Sequence, residues 1–347
     1  MLSAESEVLL RNQEYFDTGK WLVINAADAE IFSYFPSEVV GLHQLYSNYL
    51  LIENCSKGQH YYGALLPKSE QFDGIIIYWP KSKQQGVMLC HYASSMLSDS
   101  GHLLIVGDNK CGVKSAAKAL KKIPLEMNKI DSARHCTLLG TLVDEDQERD
   151  KFDIQKYVST YKLDFESLAL TMNTLPGAFS SDALDPGSEL LLSTLGDISS
   201  DIKSTKVLDF ACGNGVIGLS IASRFTNAHV IMSDINALSL LCIEANIAQN
   251  KIDKKRIEIL TSDGLDSIEG QFDVIVSNPP FHSGTKTDYS ITERFLRDAK
   301  QHLCPKGKLR IVANRFLKYP DQLMRVFGNV EIIEQNSKFT VYQSIQS

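Results

Sequence analysis

The chain repeats itself, and the repeat limits the folds open to it. Phe72-Asp73-Gly74-Ile75-Ile76-Ile77-Tyr78-Trp79-Pro80-Lys81 lines up with Phe272-Asp273-Val274-Ile275-Val276-Ser277-Asn278-Pro279-Pro280-Phe281. Downstream, Leu97-Ser98-Asp99-Ser100-Gly101-His102-Leu103-Leu104-Ile105-Val106 lines up with Leu303-Cys304-Pro305-Lys306-Gly307-Lys308-Leu309-Arg310-Ile311-Val312. The offset changes by only a few residues between the two matches, so each copy keeps its own order. A weaker match sets Trp21–Asn25 against Val207–Ala211. At roughly 150 residues per domain, 347 residues hold two domains. The expectation is one fold used twice, with the chemistry in only one copy.

The second copy shows what that fold is. Lys206–Phe210, Val230–Met232, Ile257–Leu260, Phe272–Val276 and Lys308–Val312 read as strands. Val216–Phe225, Ala237–Asn250 and Ile291–Leu303 read as helices. Strands and helices in alternation predict an α/β fold, a mostly parallel sheet with helices on both faces. Val330–Glu334 and Phe339–Ile345 predict a C-terminal antiparallel hairpin at the sheet edge. The acidic run Asp144–Asp150 and the turn-rich stretch Thr174–Asp182 bracket a boundary between about 145 and 175. The domains are therefore taken as residues 1–160 and 161–347.

Composition excludes several classes. With 44% apolar and 22% charged residues the chain is ordinary globular material. Lys and Arg number 35 against 42 Asp and Glu, a net charge of −7, so any nucleic-acid contact must use a local patch. The seven cysteines are odd in number and form no Cys-x-x-Cys, which argues for a reducing cytoplasm and against a disulfide framework or thiolate zinc site. No metal is expected, because no His-Glu-x-x-His occurs and neighbouring Cys-His pairs on a strand point to opposite faces. No apolar run approaches a membrane span, and no signal peptide is visible at the start.

Asp209-Phe210-Ala211-Cys212-Gly213-Asn214-Gly215-Val216-Ile217-Gly218 lies between a predicted strand and a predicted helix. Gly213, Gly215 and Gly218 fit G-x-G-x-x-G, and Asp234 ends the next strand. By pattern alone this is a nucleotide-type loop. Asp209 discriminates. A carboxylate there crowds a pyrophosphate but suits a cationic ammonium, such as the amino acid end of S-adenosylmethionine (SAM). Asp234 would accept from ribose hydroxyls, and Asp263 in the Ser262-Asp263-Gly264 turn would lie near an adenine amine.

Ser277-Asn278-Pro279-Pro280-Phe281 follows another strand. Two prolines fix two φ angles and make the turn stiff. The Asn278 side-chain oxygen and the Pro279 carbonyl can accept both N–H bonds of a planar exocyclic amine, turning its lone pair toward a methyl donor. Phe281 would stack on the base. Positioning and electrostatics would then carry the rate, with no strong general base.

These residues resemble the class I SAM-dependent methyltransferases, in the branch with an Asn-Pro-Pro-aromatic signature. Leu175-Pro176-Gly177-Ala178-Phe179-Ser180, Leu184-Asp185-Pro186-Gly187-Ser188, the glycine loop, Ser233–Asn236, Ser262–Gly264 and Ser277–Gly284 together resemble the bacterial enzymes that methylate guanine N2 in small-subunit ribosomal RNA. The resemblance covers essentially the whole chain. It implies two tandem Rossmann-like methyltransferase domains, the first degenerate and without cofactor, the second binding SAM. It implies that Asp209, Gly213, Asn214, Gly215, Asp234, Ile235, Asp263, Gly264 and Asn278 hold SAM. Asn278, Pro279 and Phe281 would be catalytic, and Gly177, Phe179, Ser180, Pro280 and Phe281 would bind the guanine. Cys212 departs from the small residue expected in the loop. Tyr78-Trp79-Pro80-Lys81 has lost the Asn, so the first copy should not transfer methyl groups.

The implied partner is ribosomal RNA. Lys114, Lys118, Lys121 and Lys122 share one face if their segment is a helix, and are taken as phosphate contacts, Lys114 and Lys118 foremost. Lys251, Lys254, Lys255 and Arg256 form a second cluster, Arg315 and Lys318 a third. Rivals are an enzyme acting on large-subunit RNA or on another planar amine, an NAD-type oxidoreductase, and a non-catalytic SAM-binding assembly factor.

Overall fold

The computed structural model describes residues 1–35, 38–54, 57–120, 126–142, 151–165, 168–180, 183–196, 205–279 and 289–347, with only the backbone at 289–291. The chain divides into two units. Met1–Val158 with Leu175–Gly177 form the first, and Ser159–Thr174 with Ala178–Ser347 form the second.

The first unit contains α1 (Ala4–Leu10), β1 (Trp21–Ile24), β2 (Val39–His43), α2 (Tyr46–Glu53), β3 (Gln59–Tyr62), β4 (Phe72–Tyr78), α3 (Lys83–Ser94), β5 (Leu97–Asp108), α4 (Ala116–Ala119), β6 (Asn128–Ala133) and β7 (Cys136–Leu142). Its sheet runs β3-β2-β1-β4-β5-β7-β6. The second unit opens with a hairpin, β8 (Ser159–Phe165) and β9 (Leu168–Thr174), then α5 (Pro186–Ser193), β10 (Lys206–Phe210), α6 (Val216–Arg224), β11 (His229–Asp234), α7 (Ala237–Gln249), β12 (Ile257–Thr261), β13 (Phe272–Ser277), α8 (Tyr289–Gln301), β14 (Leu303–Asn314), α9 (Tyr319–Phe327), β15 (Glu331–Gln335) and β16 (Phe339–Ile345). Its sheet runs β12-β11-β10-β13-β14-β16-β15, the same order strand for strand. In each sheet the first five strands are parallel, and the last two join antiparallel as a hairpin.

Each parallel sheet is buried on both faces, so its strands read as nearly unbroken apolar runs. Alternate residues supply two cores. In the second unit Val207, Val230, Met232 and Val276 pack on one side, Leu208, Ile231, Ile275 and Leu309 on the other. In the first unit Leu22, Ile75, Ile77 and Leu103 oppose Trp21, Val23, Ile76 and Leu104.

The acidic run at 144–150 lies outside the described residues, and the region expected to hold the domain boundary contains the β8–β9 hairpin. Its outer edge is sealed by α7 side chains: Asn246 Oδ1 accepts the Asn173 N–H at 2.6 Å, and Asn250 Oδ1 accepts that of Thr171 at 2.8 Å. The amide nitrogens of the same two asparagines return bonds to the Asn173 and Thr171 carbonyls, at 2.9 and 2.8 Å. The lysine stripe does not sit on one continuous helix. Gly112, at φ +81°, precedes a 3-10 turn at Val113–Ser115, and α4 is only four residues long. Lys114 and Lys118 are exposed, while Lys121 and Lys122 lie outside the described residues.

Candidate active site

In the second sheet the connections run outward from β10 in both directions, toward β12 on one side and β14 on the other. A crevice forms at the carboxyl ends of the strands where that direction reverses. Four residues singled out in the sequence stand along this edge. Asp209 is near the end of β10, Asp234 ends β11, Asp263 follows β12 and Asn278 follows β13. Ser277 ties β13 to β10 by donating to the Phe210 carbonyl at 2.7 Å.

Asp209 is the anomaly in an apolar strand. It is fully buried between Leu208 and the glycine loop. Its Oδ2 accepts the Gly218 N–H, from the first turn of α6, at 2.7 Å. Its Oδ1 is buried with no hydrogen-bond partner among the described residues. Burial pushes the carboxyl up to about 8; the Gly218 N–H opposes this and the charge of Asp234 reinforces it. A dry carboxyl with one bare oxygen is costly alone and favourable beside a cation.

The loop between β10 and α6 is bare backbone. Gly213 and Gly215 hold φ of +56° and +83°. A Cβ on Gly215 would come 2.9 Å from Ile243, and one on Gly213 would lie 3.3 Å from the Cβ of Phe179. The structure thus places Phe179, a predicted substrate contact, against the glycine loop, with its side chain largely exposed. Asp234 supports the loop from the next strand. Its Oδ2 accepts the Gly213 N–H at 2.8 Å and its Oδ1 that of Asn236 at 2.9 Å. Burial raises its carboxyl, opposed by backbone N–H groups at Asn236, Gly213 and Ile235. Three N–H groups use three of the carboxylate's roughly four acceptor sites, which leaves one for a further donor. Cys212 is buried in the loop, and burial raises its thiol far above the ordinary range, reinforced by Asp209 and Asp234. It is an inert spacer there.

The other predicted positions distribute unevenly. The Asn214 side chain is buried and donates to the Tyr161 hydroxyl at 3.0 Å, so it holds the hairpin and leaves its backbone to the loop. Asp263 is exposed, beside Gly264 at φ +68°, in a turn where Ser262 donates to the Gly264 carbonyl at 2.9 Å. Ser180 takes a left-handed φ of +57°. Gly177 groups with the first unit, against Gln85. Asn278 is 9% exposed, and Pro279 is buried after it. Pro280 and Phe281 lie outside the described residues. Of the other basic clusters, Arg256 donates from one nitrogen to the carbonyls of Ala222, Phe225 and Ala228 at 3.0, 3.2 and 3.3 Å, a role in closing the end of α6. Arg315 donates to the Asn336 carbonyl at 3.3 Å.

Three residues at the site were not singled out for a role. The Asn278 amide donates to Asp185 Oδ2 at 2.8 Å and to Ser188 Oγ at 3.0 Å. Asn246 donates to the Asn214 carbonyl at 3.1 Å and so braces the glycine loop from α7. The only signal for Asp185 and Ser188 was their place in the Leu184–Ser188 motif, which assigns them no partner.

These residues fit SAM. The bare Oδ1 of Asp209 suits an ammonium, the glycine backbone admits a ligand chain, and Asp234 offers an acceptor to ribose hydroxyls. Among the described residues no group of three His, Cys, Asp or Glu side chains is arranged to hold a metal, and no helix is long and apolar enough to cross a membrane.

Comparison with known proteins shows the family and the fold. The methyltransferase small domain model matches residues 169–343, and the methyltransferase small domain N-terminal model matches residues 6–161. Ribosomal RNA small subunit methyltransferase C of Pseudoalteromonas atlantica is 39% identical over 348 residues, covering 99% of both chains. The protein of the same name from Haemophilus influenzae is 38% identical, again over 99% of both. The solved 16S rRNA N2 G1207 methyltransferase of T. thermophilus, in complex with AdoMet and guanosine, superposes with a TM-score of 0.84 at 20% identity, covering 99% of this chain and 92% of that one. At that identity the structural match speaks for the fold.

Proposed function

The chain belongs to the ribosomal RNA small subunit methyltransferase C family, and on that premise we propose that it methylates the exocyclic N2 of a guanine in 16S ribosomal RNA. The target is the 16S rRNA base that corresponds to G1207, the base for which the T. thermophilus enzyme is named; the substrate proposed is that base within the small ribosomal subunit, in the cytoplasm. One observation carries the reading. The buried, half-satisfied Asp209 and the Asn278-Pro279 corner end neighbouring strands of one sheet.

SAM, when bound, supplies an electrophilic methyl on a sulfonium. Asp209 Oδ1 receives its ammonium, Asp234 its ribose hydroxyls and Asp263 its adenine amine, with Gly213 and Gly215 giving room. Asn278 Oδ1 and the Pro279 carbonyl accept the two N–H bonds of the guanine amine. That grip sets the nitrogen lone pair out of the ring plane and along the line of attack, where positioning contributes most. The nitrogen would gain positive charge as its bond to the methyl carbon forms and the carbon–sulfur bond breaks, the electron pair going to sulfur so that the cofactor leaves as a neutral thioether, and the two acceptors would stabilise that charge. Its proton then leaves to water. Phe179 and Phe281 cover the base, which must leave its stack to reach the site. Lys114 and Lys118 are offered as phosphate contacts.

The test is transfer of labelled methyl from SAM to small subunits taken from a strain lacking this modification, followed by mapping of the base. Label at guanine N2 supports the reading. Label on adenine, on protein or nowhere rejects it. Transfer to large-subunit RNA instead would favour the sister specificity.

A further inference from the structure

We propose that Asp185 and Ser188 are positioning residues that decide which end of the Asn278 amide meets the substrate. This rests on the function proposed above. A carboxamide has two ends of nearly equal shape and opposite chemistry, one accepting and one donating. Only the oxygen serves a target that is itself an amine. An amide turned over would set N–H against N–H.

The surroundings of Asn278 permit one orientation. An ionised carboxylate only accepts, so the amide end lying 2.8 Å from Asp185 Oδ2 must be the NH2 group. Its second N–H reaches Ser188 Oγ at 3.0 Å, on a residue only 3% exposed. Both donors are then used, and Oδ1 is the end left for a ligand.

Asp185 is itself fixed. It is the N-cap of α5, and the same Oδ2 accepts the Ser188 N–H at 3.0 Å. Pro186 follows at the first helical position and stiffens the entry. Gly187 lets this turn approach: a Cβ there would come 2.9 Å from Asp185 Oδ2 and 3.4 Å from Asn278 Nδ2. The helix cap and the amide clamp are thus one structure. The carboxylate also adds charge. A bond to an anionic acceptor polarises the amide and raises electron density at Oδ1, where the amine nitrogen becomes positive.

Three single variants and one double variant test this. Asp185→Ser keeps a good N-cap but is too short to reach Asn278. Asp185→Asn keeps both the cap and an acceptor oxygen but loses the charge. Ser188→Ala removes the second acceptor. Asp185→Ser should lower kcat for methylation of unmodified small subunits by roughly 10- to 100-fold, with SAM affinity held within about twofold. Asp185→Asn should restore most of that loss. Adding Asp185→Ser to Asn278→Ala should cost nothing more than Asn278→Ala alone, which a merely structural role would not produce. A second readout needs no turnover. The side-chain NH2 protons of Asn278 should exchange slowly in the free protein by NMR and quickly in Asp185→Ser and Ser188→Ala. Wild-type kcat in Asp185→Ser, a loss that multiplies with Asn278→Ala, or fast exchange in the wild type would overturn the proposal. If the wild type methylates no guanine, the function proposed above fails, and slow exchange lost in the variants would still establish the clamp.

Discussion

The two units share a skeleton and part company at one edge. In both, the aspartate after the first Phe of the fourth strand accepts a backbone N–H from the start of the central strand. Asp73 takes that of Lys20 at 2.8 Å and Asp273 that of Lys206 at 2.8 Å. In both, the same lysine lies over the Phe ring, at 5.4 and 4.9 Å. Ser100 and Lys306 take the same left-handed turn, φ +60° and +67°, at matching places in the fifth strand. The register then assigns the rest. Trp21 pairs with Val39 and Gly74 as Val207 pairs with Val230 and Val274. Val23 therefore stands where Asp209 does, His43 where Asp234 does, and Tyr78 where Asn278 does.

Where the second unit has the bare carboxylate oxygen of Asp209, the first has the apolar Val23, and side chains around it bond to one another. Ser6 of α1 bonds Asp28 at 2.5 Å and the Tyr78 hydroxyl at 2.6 Å. Gln44 accepts from Asn25 at 3.0 Å and from Gln85 at 2.8 Å, and donates to the Ala64 carbonyl at 2.9 Å. The lesson is that the sheet does not make the cleft. A few side chains at the strand ends decide whether that place becomes core or ligand site.

The largest effect that could break this contrast is at Asn278. Asn278→Ala should lose roughly two orders of magnitude or more in methyl transfer while SAM still binds by calorimetry. Near-normal turnover would remove the corner from the chemistry. Next, Asp209→Asn should weaken SAM binding about tenfold or more and yet raise the melting temperature of the free protein above pH 8, because it relieves a buried charge. The converse change, Val23→Asp, should create no second site and should destabilise the first unit.

The two units should also answer pH in opposite senses. Asp209 has its folded pKa raised to about 8 from 3.8, so its contribution to stability is complete below the unfolded value and is lost as pH rises through about 8. The same shift means SAM should bind more tightly as pH climbs toward 8, with proton release seen as buffer-dependent heat. His43 in the first unit is held down to about 3 by burial, with His60 adding to it. Its contribution is complete above about 6.5 and falls away as pH drops toward 3. Melting followed by a fluorophore in each unit, across pH 4 to 9, would show the crossing or its absence. The smallest effect is at Ser6. Ser6→Ala should cost about 1–3 kcal/mol by stranding the Tyr78 hydroxyl and removing one of the bonds to Asp28, which keeps the Ser3 and Ile31 N–H groups, a drop of several degrees in melting temperature, with SAM affinity unchanged.

Much of this was legible in the sequence. The Phe-Asp strands and glycine loop announced the sheet because apolar runs and φ-positive turns are local. Asp209 and Asn278 stood out because polar residues at strand ends need a reason. The hairpin at 159–174 was not legible, since Ser159–Phe165 is half exposed and its edge is completed by helix side chains far along the chain. Asp185 and Ser188 escaped for the same reason: the bond to Asn278 joins residues about ninety positions apart. The lysine stripe misled because spacing alone cannot tell one helix from a 3-10 turn followed by a single turn of α.

The seam between α7 and β9 has a length limit built into it. Four helical residues rise about 6 Å, and two strand residues advance about 6.6 Å, so Asn246 and Asn250 keep pace with Asn173 and Thr171. The slip is only about 0.6 Å per rung, and the ladder stops at two because α7 ends at Gln249 with Asn250 as its C-cap. An ordinary sheet border can be lengthened by any passing strand. This one is closed by helix side chains that occupy the outward N–H and C=O groups of Asn173 and Thr171, which leaves an intruding chain nothing to pair with there.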